Sequence, residues 1–485
     1  MSLPLMDFHR LLPFTTWLST RAYFRRLSNE QAWLIVIALM FPSSIMPMAS
    51  SVVRVASPLF RDTFQASTEN LAWLSMSFTI PYMVLMPVYS RLSEMVGRRR
   101  LILAGIAVFL VGTCVAMLAP RLWVLMVGQA LQGFGSAGLM PLAMAYIAAI
   151  FERHERGKAL GTWSSVGPAV AWIGPLLAGI LISQWDWRVT YILPMVTGVL
   201  SIIVVARAIP PGMSNIQPHM WRRFDWTGVG LLAVFIICFF AFLSSRPITG
   251  VAPLQDWRLG LASVVPLATL LWWERRIDNP FLDLNLYRSR LFRQASLGAA
   301  LRMVTMGCTS LLVPLFLVDM FQVDGVTLGL MLMINPAAMS LMVRFGGTAA
   351  DRFGSGKPLM VGFALQIAVM LSIYQSPLPQ TLLGLGFLLA VHGLGMGLML
   401  ASLHRIALLD VNESNATVAA GMYSFVRFIG VAIGVAVAGV IFQGFTDAGV
   451  EPVMAYRQTF GGFAVAATAG LALSFVIKDP GPSPA

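Results

Sequence analysis

The chain has 485 residues, 57% of them hydrophobic and only 11% charged, with a net charge of +12 and a mean hydropathy of +0.77. A water-soluble globule carries about a quarter charged residues, so this composition excludes a soluble enzyme and points to a protein solvated by lipid. The basic excess does not indicate nucleic acid, because the 33 Lys and Arg residues fall in short clusters between apolar runs rather than on one continuous face.

Residues 1–31 contain Arg10, Arg21, Arg25 and Arg26 among Leu, Phe and Trp, with no apolar core ending in a small-residue cleavage site. The segment is predicted to lie at the membrane surface on the cytoplasmic side; a mitochondrial presequence is the alternative. Fourteen apolar runs follow, near residues 32–56, 71–90, 101–119, 122–150, 158–183, 189–208, 224–244, 257–273, 294–318, 326–349, 358–375, 380–403, 416–443 and 459–477. They are called spans 1 to 14 below. Each approaches the ~20 residues needed to cross a bilayer, and lipid leaves the backbone no partner but itself, so helices are expected rather than barrel strands. The predicted fold is an all-α integral membrane protein. Its parts are a six-helix half at 32–208, a linker at 209–276 holding two extra helices, a second six-helix half at 277–477, and a tail at 478–485.

Charge tests this threading. With the N-terminus inside, 23 Lys and Arg fall on the cytoplasmic side, and only Arg61, Arg121, Arg188, Arg246, Arg258 and Arg457 on the other. An even number of spans returns the C-terminus to the cytoplasm. Cys114, Cys238 and Cys308 lie inside apolar runs, in odd number and without ligand spacing, and read as inert packing residues.

The stretch SRLSEMVGRRR at 90–100 has a twin, GTAADRFGSGK at 347–357: a small residue, an acid four later, a glycine three after that, then base. The candidate gating residues are therefore Ser90, Arg91, Glu94, Gly97, Arg98, Arg99 and Arg100 in the first half. Gly347, Asp351, Arg352, Gly354 and Lys357 are those of the second. QGFGSAGLM at 132–140 likewise answers HGLGMGLM at 392–399, each in the fourth span of its half. Parallel repeats with a site between them are a transporter plan. In span 5, Gly167-Pro168 and Gly174-Pro175 are seven residues apart and share a helix face, which predicts tight packing and a bend; Gly179 ends the same stretch. Gly430, Gly434 and Gly439 read as a packing seam in span 13.

No Walker A loop is present, since Gly356-Lys357 is followed by Pro358, and no metal-ligand spacing or Ser/His/Asp arrangement supports an enzyme. No cofactor and no metal is expected. Ionisable and polar residues inside the spans are the cavity and coupling candidates: Arg302, His392, Asp319, Arg54, Gln129, Gln132 and Arg427. Arg302 either reaches a central cavity or snorkels; His392 reads first as a satisfied core histidine; Arg54 and Asp319 lie toward the outer ends of spans 1 and 9, where water is in reach.

These motifs together resemble the major facilitator superfamily, and within it the fourteen-helix drug:proton antiporter branch of EmrB/QacA-like exporters. The 90–100 stretch looks like that family's loop between helices 2 and 3, with Ser90 for its glycine and Glu94 for its aspartate. IGPLLAG at 173–179 looks like the antiporter motif of helix 5. WWERRIDNPFLDLNLYRSRLFR at 272–293 resembles the linker, and FVRFIGVAIGVAVAGVIF at 425–442 resembles helix 13. The resemblance implies that Glu94 sits at the start of span 13 and Asp351 at the start of span 5, each carboxylate at a positive helix end. It also implies a secondary transporter of a bacterial cytoplasmic membrane, monomeric, exporting amphipathic small molecules, with a periplasmic adaptor if the source has two membranes. A lipid or metabolite carrier of the same fold, or a membrane scaffold or sensor, are the alternatives. The sequence departs from the family at Ala49, where relatives carry an aspartate, at Arg54 for an asparagine, at Gln129 for an arginine and at Val318 for a glutamine. Proton coupling therefore does not carry over. Either His392 or Asp319 has taken it on, or transport runs without protons, and the positive interior predicts neutral or anionic amphiphiles over cationic dyes.

Overall fold

The computed structural model describes residues 29–151, 153–209, 224–277, 282, 284–375, 378–409 and 416–477, with the side chains of Ser90, Arg91, Glu94 and Asp351 outside that description. The interfacial segment expected at 1–31 lies outside the described residues up to residue 28, as do the tail at 478–485 and the two gate-acid contacts. Among the described residues all regular structure is helical. Span 1 is Asn29–Phe64, span 2 Thr68–Val96 and span 3 Arg98–Met117. Span 4 is Leu122–Ser136 continued by Leu139–Ile150, and span 5 is Arg153–Ser164 continued by Val166–Gln184. Span 6 opens with a tight turn at Trp187–Tyr191 and runs over Ile192–Ala208. The extra pair is span 7, Trp226–Leu243, and span 8, Trp257–Glu274. Spans 9 to 14 are Arg290–Phe321, Gly325–Phe353, Gly356–Gln375, Leu382–Leu409, Ala416–Asp447 and Pro452–Val476.

Thirteen of these, among the described residues, are long and apolar enough to cross a membrane. Span 8 falls short of the expectation: it has 18 residues, with Arg258 second and Glu274 last, so charge at both ends trims its apolar length. It is held as a hairpin with span 7. Asp225 caps span 7 through the Gly228 amide and accepts the indole N–H of Trp273 from span 8, both at 2.8 Å.

The break in span 5 falls at Ser165, three residues before Pro168. A proline has no amide to give the carbonyl one turn back, and its ring crowds that turn, so the helix restarts there. Gly97 and Gly354 close spans 2 and 10 with φ of 93° and 78°, in the left-handed half of backbone space, where a side chain would be strained. The repeated glycine of the twin loops thus performs the same backbone task twice.

Packing repeats with an offset of eight spans. Span 1 lies against 5 and 6, span 2 against 4, and span 3 against 4 and 6; the same pairs recur as 9 with 13 and 14, 10 with 12, and 11 with 12 and 14. Two long seams join the halves, spans 2 with 13 and 5 with 10, and the same offset exchanges them. Glycine makes these seams close. A Cβ at Gly179 would strike the Gly325 carbonyl, and one at Gly325 would come 2.7 Å from the Gly179 carbonyl. In the 9–13 seam Gly430 and Gly434 face the backbone of Ala300 and Val304. Gly439 instead abuts Ala72 and Thr68, in the 2–13 seam.

The near face is the side on which the chain enters span 1; the far face is the other. Gly179, Gly325, Gly439 and Thr68 all lie toward the far face. Toward the near face, a Cβ at Gly161 of span 5 or Gly421 of span 13 would meet nothing within 4 Å among the described residues. Gly167 has only the end of Met140 at 4.0 Å, so the tight face expected at 167–168 forms only from Gly174, which rests on Ser51 of span 1, to Gly179.

Candidate functional site

The first of the twin loops places two of its bases on carbonyls. The Arg98 guanidinium donates to the Ala145 oxygen at 3.0 Å and lies 5.8 Å from the ring of Tyr146, while Arg99 donates to the Ala206 oxygen at 2.6 Å. Both acceptors belong to near-face helix ends, of spans 4 and 6, where unpaired carbonyls concentrate negative charge. Arg100 is exposed. In the second half Arg352 and Lys357 lie over Phe353, at 5.4 and 5.8 Å from its ring. Carbonyl binding there is done by Arg405, at the near end of span 12, which donates to Ala350 at 2.6 Å and to the Ser355 hydroxyl at 3.3 Å. Sequence reading missed Arg405. It stands alone after a long apolar run, and the topology rule had already accounted for it as a cytoplasmic charge.

The far face is tied across the halves by ions. Arg61, at the end of span 1, makes a bidentate pair with Asp319, at the end of span 9, at 2.7 and 2.8 Å. The Tyr456 hydroxyl of span 14 donates to the same carboxylate at 2.6 Å. Asp319, expected toward the outer end of span 9 with water in reach, is about a fifth exposed and has both oxygens engaged. Beside this, Arg246 from the turn between spans 7 and 8 sits between Glu69 of span 2, at 3.8 Å, and Asp447 of span 13, in direct contact. Gln443 accepts the Thr68 amide at 3.1 Å in the same cluster, which surrounds a cavity of about 140 Å³. The extra helices therefore contribute a charged group at the junction of the two halves.

Deeper, the polar candidates separate into three groups. Gln129 donates to the Tyr191 hydroxyl at 2.9 Å and Gln132 to Thr113 at 2.8 Å, both fully buried within the first half. Arg54, expected near water, lies two turns inside span 1, donates to the Ser50 carbonyl at 3.4 Å, and lines a cavity of about 30 Å³ with Thr309, Ser310 and Asn335. That has room for roughly a water or two. Behind it, the Asn335 amide contacts His392 Nδ1 at 2.6 Å, and His392 Nε2 has no partner. Ala49 is buried where it can hold no proton.

The third group is basic. Arg302 of span 9 is 2% exposed, with a single long bond to the Met396 carbonyl at 3.3 Å and contacts to the sulfurs of Met303 at 3.2 Å and Met396 at 3.9 Å. It lies within electrostatic reach of Arg427 and Tyr423 on span 13. Arg427 rests on Phe428, 5.0 Å from the ring, and the Nε atoms of both arginines and the Tyr423 hydroxyl are buried without partners. His404 of span 12 packs edge-on to Tyr423 at 5.2 Å. His404 was also missed, hidden beside Arg405 in the same apolar run.

This architecture of two offset six-helix halves meeting along spans 2–13 and 5–10 is that of a known family. Residues 39–435 and 295–485 match the profile described as Major Facilitator Superfamily. The chain belongs to the major facilitator superfamily. Among its relatives in that superfamily is the multidrug resistance protein Stp of Mycobacterium tuberculosis, strain H37Rv, 26% identical over 426 residues, which span 87% of this chain and 78% of Stp. The tetracenomycin C resistance and export protein of Streptomyces glaucescens is 24% identical over 84% of this chain and 76% of its own length. Of solved major facilitator structures, a bacterial homologue of the human lysosomal transporter Spinster, inward-facing and unoccupied, superposes with a TM-score of 0.65 at 15% identity, covering 93% of this chain and 97% of that one. This major facilitator protein is a secondary transporter with the fold expected from its sequence.

Proposed function

We propose that this transporter exports amphipathic small molecules from the cytoplasm across a bacterial inner membrane, with the near face and both termini cytoplasmic. The observation that carries this reading is the uneven contact between the halves. They are held at the far face by glycine contacts and two ion clusters, while among the described residues Gly161 of span 5 and Gly421 of span 13, toward the near face, have no close neighbour. An exporter would load its solute in such a state. Alternating access then consists of parting the Arg61–Asp319 and Arg246 clusters as the near-face ends of spans 2, 5, 10 and 13 close, with Glu94 and Asp351 meeting the starts of spans 13 and 5. The names of Stp and the tetracenomycin protein support export rather than uptake. The protein is proposed to work as a monomer with halves at 32–208 and 277–477.

Coupling at the family's usual positions is absent. Ala49 cannot titrate, and Gln129 carries no charge with which to tune a neighbour. Flux is therefore proposed to follow the substrate gradient. Purified protein in liposomes should move an amphiphile such as a dansylated fatty acid saturably, with initial rates unchanged by an imposed pH gradient. Uphill transport driven by that gradient would refute the uncoupled reading, and absence of saturable flux for every amphiphile tried would refute the exporter itself.

A further inference from the structure

All 21 acidic residues of the chain fall at or near predicted helix ends or in loops, whereas Arg54, Arg302 and Arg427 lie well inside spans. Gly430 and Gly434 of span 13 seat on Ala300 and Val304 of span 9, on either side of Arg302, so Arg302 and Arg427 lie along the same helix seam. Among the described residues neither forms an ion pair with a carboxylate. An unpaired charge in lipid-embedded protein is costly, and two of like sign in reach of one another more so. What Arg302 has instead is poor: one long carbonyl bond and two thioether sulfurs, which are weak acceptors on flexible stems. Around them the Nε atoms of both arginines and the Tyr423 hydroxyl are donors with nothing to donate to. His404 packs edge-on to Tyr423.

We propose that Arg302, Arg427, Tyr423 and His404 form the binding site for the anionic head of the transported amphiphile, a carboxylate, sulfonate or phosphate monoester. This rests on the exporter reading and adds to it the substrate class. The methionine sulfurs are placeholders that swing aside when an anionic oxygen arrives. Two guanidiniums from spans 9 and 13 then share its charge, and Tyr423 donates a further hydrogen bond. The ligand supplies the counter-charge the protein lacks, so binding relieves the repulsion that the empty site carries.

The test uses the full chain in nanodiscs of zwitterionic lipid and in liposomes, with three probes sharing one tail: dansylaminoundecanoic acid, its methyl ester, and the matching primary amine. The parent should bind the acid roughly tenfold or more tightly than the ester or amine, the scale of one or two charge-assisted hydrogen bonds. Arg302→Gln and Arg427→Gln should each erase that preference while leaving ester binding unchanged, and Tyr423→Phe should reduce it about threefold. A second readout guards against misfolding: without ligand, Arg302→Gln should melt no lower than the parent, because it removes an uncompensated charge, yet should lose the acid-induced rise in melting temperature. If acid and ester are bound and transported equally, or if both variants keep the preference, the anion site is overturned and the exporter stands. If Arg302→Gln melts well below the parent, the arginine is structural and the proposal fails. If no probe is bound or moved saturably, both readings fall.

Discussion

At the far face Arg61 meets Asp319 and Tyr456, and Arg246 bridges Glu69 and Asp447, so cations and anions from different halves neutralise each other. In the middle of the protein Arg302 and Arg427 have no such partner. The difference lies in what each region must do when the halves move. Ions at a face can trade one another for water as the halves part, because Arg61 and Asp319 are about a quarter exposed already. Their pairing is thus reversible at modest cost, which suits a latch. Interior cations cannot make that exchange, and in the proposed anion site it is the solute that brings the missing charge.

The comparison can be broken first at its frame. Gly179→Leu puts a branched side chain where the Gly325 carbonyl lies, so the halves should no longer close at the far face. The expected outcome is loss of transport together with destabilisation of about 1–3 kcal/mol, seen as a lower melting temperature. Next in size is Asp319→Asn, which leaves Arg61 with only its exposed neighbour Asp62 as counter-charge. It should shift the population toward a far-face-open state about tenfold, read as faster alkylation of a cysteine placed at Ser310 beside the small cavity. The exchanged pair Arg61→Asp with Asp319→Arg should restore most of the parent rate. If it does not, the pair is no latch.

The second cluster allows a finer distinction. Glu69 is 1% exposed, while Asp447 is 48% exposed at its side chain, so the two acids around Arg246 differ in what they lose with it. Arg246→Gln strands the buried Glu69 carboxylate and should lower stability by about 1 kcal/mol after allowance for the exposure of the arginine. Asp447→Asn should change it by less than about 0.5 kcal/mol and be masked at high salt. Equal effects in thermal melts would mean that Glu69 is not held by Arg246.

What could be read in advance follows the range of each cause. Gly97 and Gly354 were legible as twins because a positive φ is a local demand, met by glycine wherever the motif recurs. The fourteen apolar runs were legible for the same reason, except that Arg258 and Glu274 shorten span 8 in the structure. Arg405 was not, since a cation on a carbonyl fifty residues away looks the same in sequence as a cation in water. Gly167 was misjudged because helix periodicity gives a shared face but not a neighbour for it; the only neighbour near Gly167, among the described residues, is the end of Met140.

Hydropathy, charge bias and repeated glycines fixed the class, the order of spans and the two-half plan from sequence alone, because each is a property of a residue and its immediate solvent. Which charges are paired was decided only by tertiary structure. Arg61 and Asp319 are 258 positions apart, and Arg302 sits no differently in its apolar run than Arg54 in its own. Pairing depends on distance across helices packed from different parts of the chain. The acids already lie at span ends in the sequence; only in three dimensions do Arg61 and Arg246 meet theirs while, among the described residues, Arg302 and Arg427 meet none.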